Sequence, residues 1–165
     1  MAHHPIEGVG IILRPTTQDD LGTLRTFFSD PDFYERWGGK PLSDSEITAK
    51  YLGGRSPDVE CFIVEERNRP LGFAQYHLAD DEGEGGGMDL ALLASERGRG
   101  IGTAVVQAMV RFVRTELAWQ RFTVDPDVSN ARGVSFWRKV GFIPVRLIDD
   151  SERQPYWLME WPSSR

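Results

Sequence analysis

A single mixed α/β domain is what this sequence predicts, and three observations predict it. Residues 60–66, 71–78 and 88–94 are apolar runs of strand length, the first two parted by the hairpin-like Arg67-Asn68-Arg69-Pro70. From residue 100 onward the pattern changes to helix, strand, helix, strand, the helices marked by apolar residues three and four apart. Between the two regimes stands a glycine-rich turn, Gly98-Arg99-Gly100-Ile101-Gly102. A chain of 165 residues without internal repeat or linker reads as one domain, 1–165, with 1–7 as a loose tail.

The elements follow in order. Residues 9–14 form a first strand, stopped by Pro15. Thr17, with Asp20 three places on, opens a helix whose Leu21, Leu24, Phe27 and Phe28 share one face. The segment 30–41 holds Pro31, Trp37, Gly38 and Gly39, a loop or short helix carrying aromatic groups. A short helix covers 44–51. The hairpin strands at 60–66 and 71–78 lead to 80–87, acidic and glycine-rich, which reads as an exposed turn. The run 88–94 is almost continuously apolar, the mark of a strand covered on both faces. Ile101, Val105, Ala108, Met109 and Phe112 make the core stripe of a long helix over 100–117. A short strand at 121–124 precedes a helix over 129–140, which Gly141 ends. Two strands, 142–148 and 156–161, joined by the polar loop 149–155, finish the chain.

Composition narrows the function. The net charge of −6 and pI of about 5.1 argue against nucleic acid, whose phosphates need a basic face. The same balance suits a cationic small substrate and serves plain solubility equally. One cysteine, Cys61, excludes an internal disulfide and points to a reducing compartment. Its apolar setting, Cys61-Phe62-Ile63-Val64, is that of a buried structural thiol. No apolar stretch nears the roughly 18 residues needed to cross a bilayer, and the N-terminus lacks signal-peptide regions. A cytoplasmic protein with no membrane partner is expected. His3 and His4 in the tail are too little to predict a metal site.

The sharpest signal is Glu96-Arg97-Gly98-Arg99-Gly100-Ile101-Gly102-Thr103, set between an apolar strand and an amphipathic helix. Glycines let the backbone bring its N–H groups close to a ligand, and the helix N-terminus aims its unpaired N–H groups and positive dipole end at the same point. Arg97 and Arg99 add positive charge, so the turn suits a pyrophosphate. The Gly-Lys-Ser/Thr ending of a Walker loop is absent. The glycine spacing is wrong for a dinucleotide fingerprint, and the turn follows the fourth strand rather than the first. About thirty residues on come Asp125-Pro126, then Ser129-Asn130, the aromatic pair Phe136-Trp137, and Lys139-Val140-Gly141-Phe142. Ser129 or Asn130 can cap the helix that this run contains.

Arg97, Gly100 and Gly102, followed by that closing run, resemble the GCN5-related N-acetyltransferase (GNAT) superfamily. Within it the chain looks like the aminoglycoside N-acetyltransferases of the 6′ type. Trp37-Gly38-Gly39, Tyr51-Leu52, Gly72-Phe73-Ala74-Gln75 and Met88-Asp89-Leu90 carry that likeness, with Asp125-Pro126. The resemblance implies the GNAT fold: a mostly antiparallel sheet of six to seven strands with helices on both faces. It is splayed between its fourth and fifth strands, here 88–94 and 121–124. Acetyl-CoA would enter the splay, its pantetheine arm pairing like an added strand. By the same resemblance Leu92 and Leu93 supply backbone partners for that arm, and Arg97, Gly98, Arg99, Gly100, Gly102 and Thr103 hold the pyrophosphate. Asn130 touches the arm further along, and an N–H near Leu92 polarises the thioester carbonyl.

Amines are largely protonated at neutral pH, so a carboxylate must accept a proton before the amine can attack. Asp89 and Asp125 match family positions beside the acceptor and are the catalytic candidates, with Glu152, or the neighbouring Asp149 and Asp150, closing the site from the last loop. Trp37, Tyr51 and Tyr76 are the aromatic candidates for stacking a sugar ring, with core packing the competing use of each. One departure matters: many family members have a tyrosine acid in the closing aromatic pair, and here the residue is Trp137. An indole donates a hydrogen bond but gives up no proton, so no general acid is expected there. The implied activity is acetyl transfer from acetyl-CoA to an aminoglycoside amine, an antibiotic-resistance function. A polyamine, a siderophore lysine, a protein N-terminus, or acetyl-CoA sensing without catalysis are the alternatives. No metal is implied, and a homodimer is open because dimers are common in the superfamily.

Overall fold

The structure, a computed structural model, describes residues 4–79, 84–150 and 152–162. His3 and residues 80–83 of the expected acidic turn lie outside the described residues. The chain divides into two compact units, Met1–His77 with Asp89–Phe112, and Leu78–Met88 with Val113–Arg165.

In the first unit the strand order is β1 (Ile6–Glu7), β2 (Ile12–Pro15), β3 (Val59–Glu66), β4 (Arg69–Leu78) and then β5 (Gly85–Leu92), whose second half belongs here. The pairs from β1 to β4 are antiparallel. Leu93 N–H donates to Leu71 O at 2.9 Å, while Gln75 meets Asp89, the descending order of one more antiparallel pair. Gly72 permits this approach, since a Cβ there would stand 2.4 Å from Ala91 O. The tail expectation is corrected at Ile6 and Glu7. Ile6 is buried and pairs with Leu13 across a turn closed by Gly8 N–H on Ile11 O, with Gly10 at φ +76°. The first strand accordingly starts later than expected, and Val9 is exposed at the turn.

Thr17 caps the 3-10 turn Gln18–Asp20, and Asp20 returns the bond to Thr17 N–H at 2.8 Å, so the sequence signal is a full capping box. Helix α1 (Leu21–Phe27) follows, then α2 (Pro31–Tyr34) and α3 (Asp44–Tyr51), the last opened by Ser43 and Glu46 in a second capping box. Their buried side chains pack with Cys61, Ile63, Phe73 and Ala91 on one face of the sheet. Phe112, from α4 (Ile101–Thr115), meets Tyr76. Tyr76 is three residues from Phe73 on β4, so α4 covers the opposite face.

The second unit carries β5, β6 (Arg121–Val124), β8 (Tyr156–Glu160) and β7 (Ile143–Ile148) in that spatial order, with α5 (Ala131–Val140). Gly85, Gly86 and Gly87 run parallel to Arg121, Phe122 and Thr123, and the other pairs are antiparallel. These glycines correct the expected exposed turn: they are buried strand, and a Cβ on Gly85 would stand 2.5 Å from Arg121 O. With β1 added, eight strands replace the expected six to seven. Among the described residues no helix is long and apolar enough to cross a membrane.

Candidate functional site

The glycine-rich turn is built as an open cradle. Gly98 and Gly100 adopt φ +78° and +82°, a conformation that disfavours any side chain. No atom lies within 4 Å of where a Cβ would stand on either. Helix α4 closes its first hydrogen bond from Ala104 N–H to Gly100 O, so the preceding N–H groups have no partner inside the helix. Gly102 is buried in that first turn and Thr103 is half-buried. The geometry fits an anion approaching backbone N–H groups at a dipole end.

The two arginines of the turn are otherwise engaged. Arg97 reaches Asp32 at 2.7 Å and donates to Leu92 O at 2.8 Å. Arg99 pairs with Glu96 at 2.6 Å and Glu66 at 3.0 Å, and Arg69 bridges the same two carboxylates. Hydrogen bonding by Arg69 above all holds the Glu96 carboxyl at about 2, against an ordinary 4.5. The side chains of Arg97 and Arg99, expected at a pyrophosphate, are drawn into these ion pairs around the turn.

Strand parity separates Leu92 from Leu93. Along a strand, successive residues direct their N–H and C=O to opposite edges. Leu93 spends its N–H on β4, so it is not available to an added strand, a correction to the expected pair. Leu92 directs its polar groups to the other edge, where Arg97 meets its carbonyl.

Two of the three aromatic candidates, Trp37 and Tyr51, lie together on one face of the first unit's sheet. Trp37 Nε1 donates to the Tyr51 hydroxyl at 2.9 Å, with their rings edge to face at 5.9 Å. Tyr51 is buried against Phe28 and Phe73, which pushes its phenol up. Tyr76 does not join them. It lies on the opposite face between Phe62 and Phe112, and burial raises its phenol to about 12. The expected three-membered wall is thus a pair plus a core residue, because positions 73 and 76 differ in parity.

Asp89 is half-buried beside that pair. Gln75 Nε2 donates to Asp89 Oδ2 at 2.9 Å, and His77 Nε2 lies 3.7 Å from the same oxygen. Gln75 Oε1 accepts from Arg55 Nη2 at 3.5 Å and from Cys61 Sγ at 3.7 Å. Burial pushes the Cys61 thiol up to about 12, which suits the structural role expected of it.

In the second unit Asp125 and Asp127 share Arg153, at 3.0 and 2.8 Å, and the guanidinium lies 3.9 Å from the Tyr156 ring centre. Glu152 is exposed on the same loop, its N–H donating to Asp150. Asn130 caps α5 by accepting from Gly133 N–H at 3.0 Å. Trp137 is buried edge-on to Phe142.

Reading the sequence assigned no role to Gln75, His77, Arg55 or Arg153. Gln75 had a signal available: it is a polar residue two places from Phe73 within an otherwise buried run, hence on the same face. Arg55 and Arg153 stand in loops, where no period fixes direction. Among the described residues no group of three or more His, Cys, Asp or Glu side chains could hold a metal.

Residues 11–143 match the acetyltransferase (GNAT) domain family. The chain is 28% identical over 147 residues to aminoglycoside N(6′)-acetyltransferase type 1 of Klebsiella pneumoniae, covering 80% of this chain and 73% of that one. The same figures hold for the enzyme of that name from Serratia marcescens. Among solved structures, AAC(6′)-Ib in complex with ribostamycin and coenzyme A superposes with a TM-score of 0.83 at 24% identity, over 93% of each chain. The ribosomal L7/L12 alpha-N-protein acetyltransferase RimL with coenzyme A gives 0.81 at 14% identity, over 95% of this chain and 97% of that one.

Proposed function

Since the chain belongs to the GNAT acetyltransferase family, we propose that it moves the acetyl group of acetyl-CoA onto an amino group of an aminoglycoside, a resistance activity. The likeness to two aminoglycoside N(6′)-acetyltransferases across most of the chain carries this reading. The net charge of −6 and the Trp37–Tyr51 pair beside Asp89 agree with a polycationic sugar. A polyamine fits the charge too, but makes no use of a ring-stacking pair.

The open turn accepts the pyrophosphate of acetyl-CoA on the backbone of Gly98, Arg99, Gly100 and Gly102, with Thr103 and the dipole of α4 behind it. Bound there, acetyl-CoA supplies a thioester at which a C–N bond replaces the C–S bond. Leu92, by parity, offers its N–H to the pantetheine arm, its C=O being shared with Arg97, and Asn130 offers its amide from the N-cap of α5. Asp89 binds the acceptor ammonium and takes one proton, leaving the neutral amine to attack. Asp125 is a second carboxylate for the cation, which must first compete with Arg153. Trp137 donates no proton, so the thiolate leaves unprotonated or takes a proton from another group, and the second proton of the attacking amine passes to solvent.

The test is acetyl-CoA-dependent thiol release against aminoglycosides, polyamines and short peptides, with Asp89→Asn alongside. Turnover confined to aminoglycosides, and lowered about 100-fold or more in Asp89→Asn, is expected. Product analysis then identifies the acetylated amine. Turnover on polyamines or peptides alone would discard the aminoglycoside reading.

A further inference from the structure

Asp89 is a strand residue whose carboxylate has a neighbour of unusual placement. Gln75 is more than nine-tenths buried, yet it carries both a donor and an acceptor that must be satisfied. Its amide has one sensible orientation. The Oε1 atom faces two donors, Arg55 Nη2 at 3.5 Å and Cys61 Sγ at 3.7 Å, which forces Nε2 toward an acceptor. That acceptor is Asp89 Oδ2, at 2.9 Å. Arg55 is itself anchored, donating to Lys50 O at 2.9 Å and lying 5.4 Å from the Tyr51 ring centre. The buried end of this relay is fixed by packing, and its outer end is a carboxylate about one-third exposed.

We propose that Gln75 is a positioning residue for the acceptor reaction, holding Asp89 Oδ2 so that the carboxylate meets the incoming amine in one orientation. The proposal rests on the reading of Asp89 as the group that takes the amine's proton. The orientation of a base is a large part of the rate that it supplies, and a hydrogen bond from a buried, fixed amide limits how the carboxylate can turn. Other groups near Asp89 include His77 from β4 at 3.7 Å, Tyr51 from α3 and Cys61 from β3, with Arg55 behind them on Gln75.

Two substitutions separate positioning from packing. Gln75→Leu fills most of the space, one bond shorter, and removes the donor; Gln75→Glu keeps the shape and sets a like charge against Asp89. Each is compared with wild type and Asp89→Asn, on the amine that wild type acetylates fastest in the panel above, from pH 5.5 to 9. Gln75→Leu is expected to lower kcat/KM for the acceptor about tenfold, with acetyl-CoA KM and Tm little changed. Gln75→Glu is expected to move the acid limb of the profile up by about one pH unit or more. Two results overturn the proposal while leaving Asp89 its role: Asp89→Asn inactive with both Gln75 variants like wild type, or losses that track a lowered Tm and an unshifted profile. An Asp89→Asn enzyme as active as wild type removes the underlying reading, and the proposal with it.

Discussion

Trp137 stands where the family resemblance leads one to look for an acid, and its surroundings are those of a core residue. It is 8% exposed, at 5.0 Å from Phe136 and 5.3 Å from Phe142 between ring centres. A tyrosine there would fit the space with a smaller ring. Trp137→Tyr is expected to change kcat by less than about threefold, since general-acid help is worth roughly 100-fold or more where it operates. A gain of that larger size, measured by thiol release at saturating acceptor, would mean that an acid had simply been lost. At this scale the sequence revealed residue types better than directions. Asp89 and Tyr51 stood out as a charge in an apolar run and an aromatic beside a family motif. The surroundings of Tyr76 and Leu93 are hard to read because each sits one step out of phase with Phe73 and Leu92, and those of Arg153 because a loop has no phase to read.

Elements were legible where local chemistry specifies them. Thr17 with Asp20 and Ser43 with Glu46 close capping boxes, Asn130 caps α5, and Gly141 at φ +130° ends it. The illegible elements depend on partners distant in the chain. A two-residue strand such as β1 has no period of its own, and Gly85-Gly86-Gly87 contradict strand propensity. Their strand is made by close approach to β6, which a side chain would block. Gly72 is a second such contact, against Ala91 and Leu92 of β5. Gly72→Ala would set a methyl group 2.4 Å from Ala91 O, a backbone atom that cannot swing aside. It is expected to cost about 1–3 kcal/mol of stability, read from urea denaturation. An unchanged midpoint would show that β4 and β5 can separate without loss.

Over the molecule as a whole, the acidic balance becomes a statement about acid stability. Arg69 and Arg99 hold the Glu96 carboxyl at about 2, below its ordinary 4.5, so folding favours the ionised form. The stabilisation this gives is complete above about 4.5 and is lost as pH falls toward about 2. Tm measured from pH 7 to 2 should therefore show wild type above Glu96→Gln at neutral pH, with the gap closing across that window. A gap that stayed constant would place the effect in packing rather than charge. The same four-residue ion network braces the glycine-rich turn, so loss of the turn's shape and loss of stability are expected to coincide in acid. Strand β5 adds a constraint of another kind. Its Gly85, Gly86 and Gly87 fix it against β6, while Asp89 and Leu92, three positions apart, present a side chain to one face and a carbonyl to one edge. The strand behaves like a reading frame. One residue inserted between Gly87 and Asp89 would leave every motif intact on paper, yet turn the carboxylate away from Gln75 and exchange the edges that Leu92 and Leu93 face.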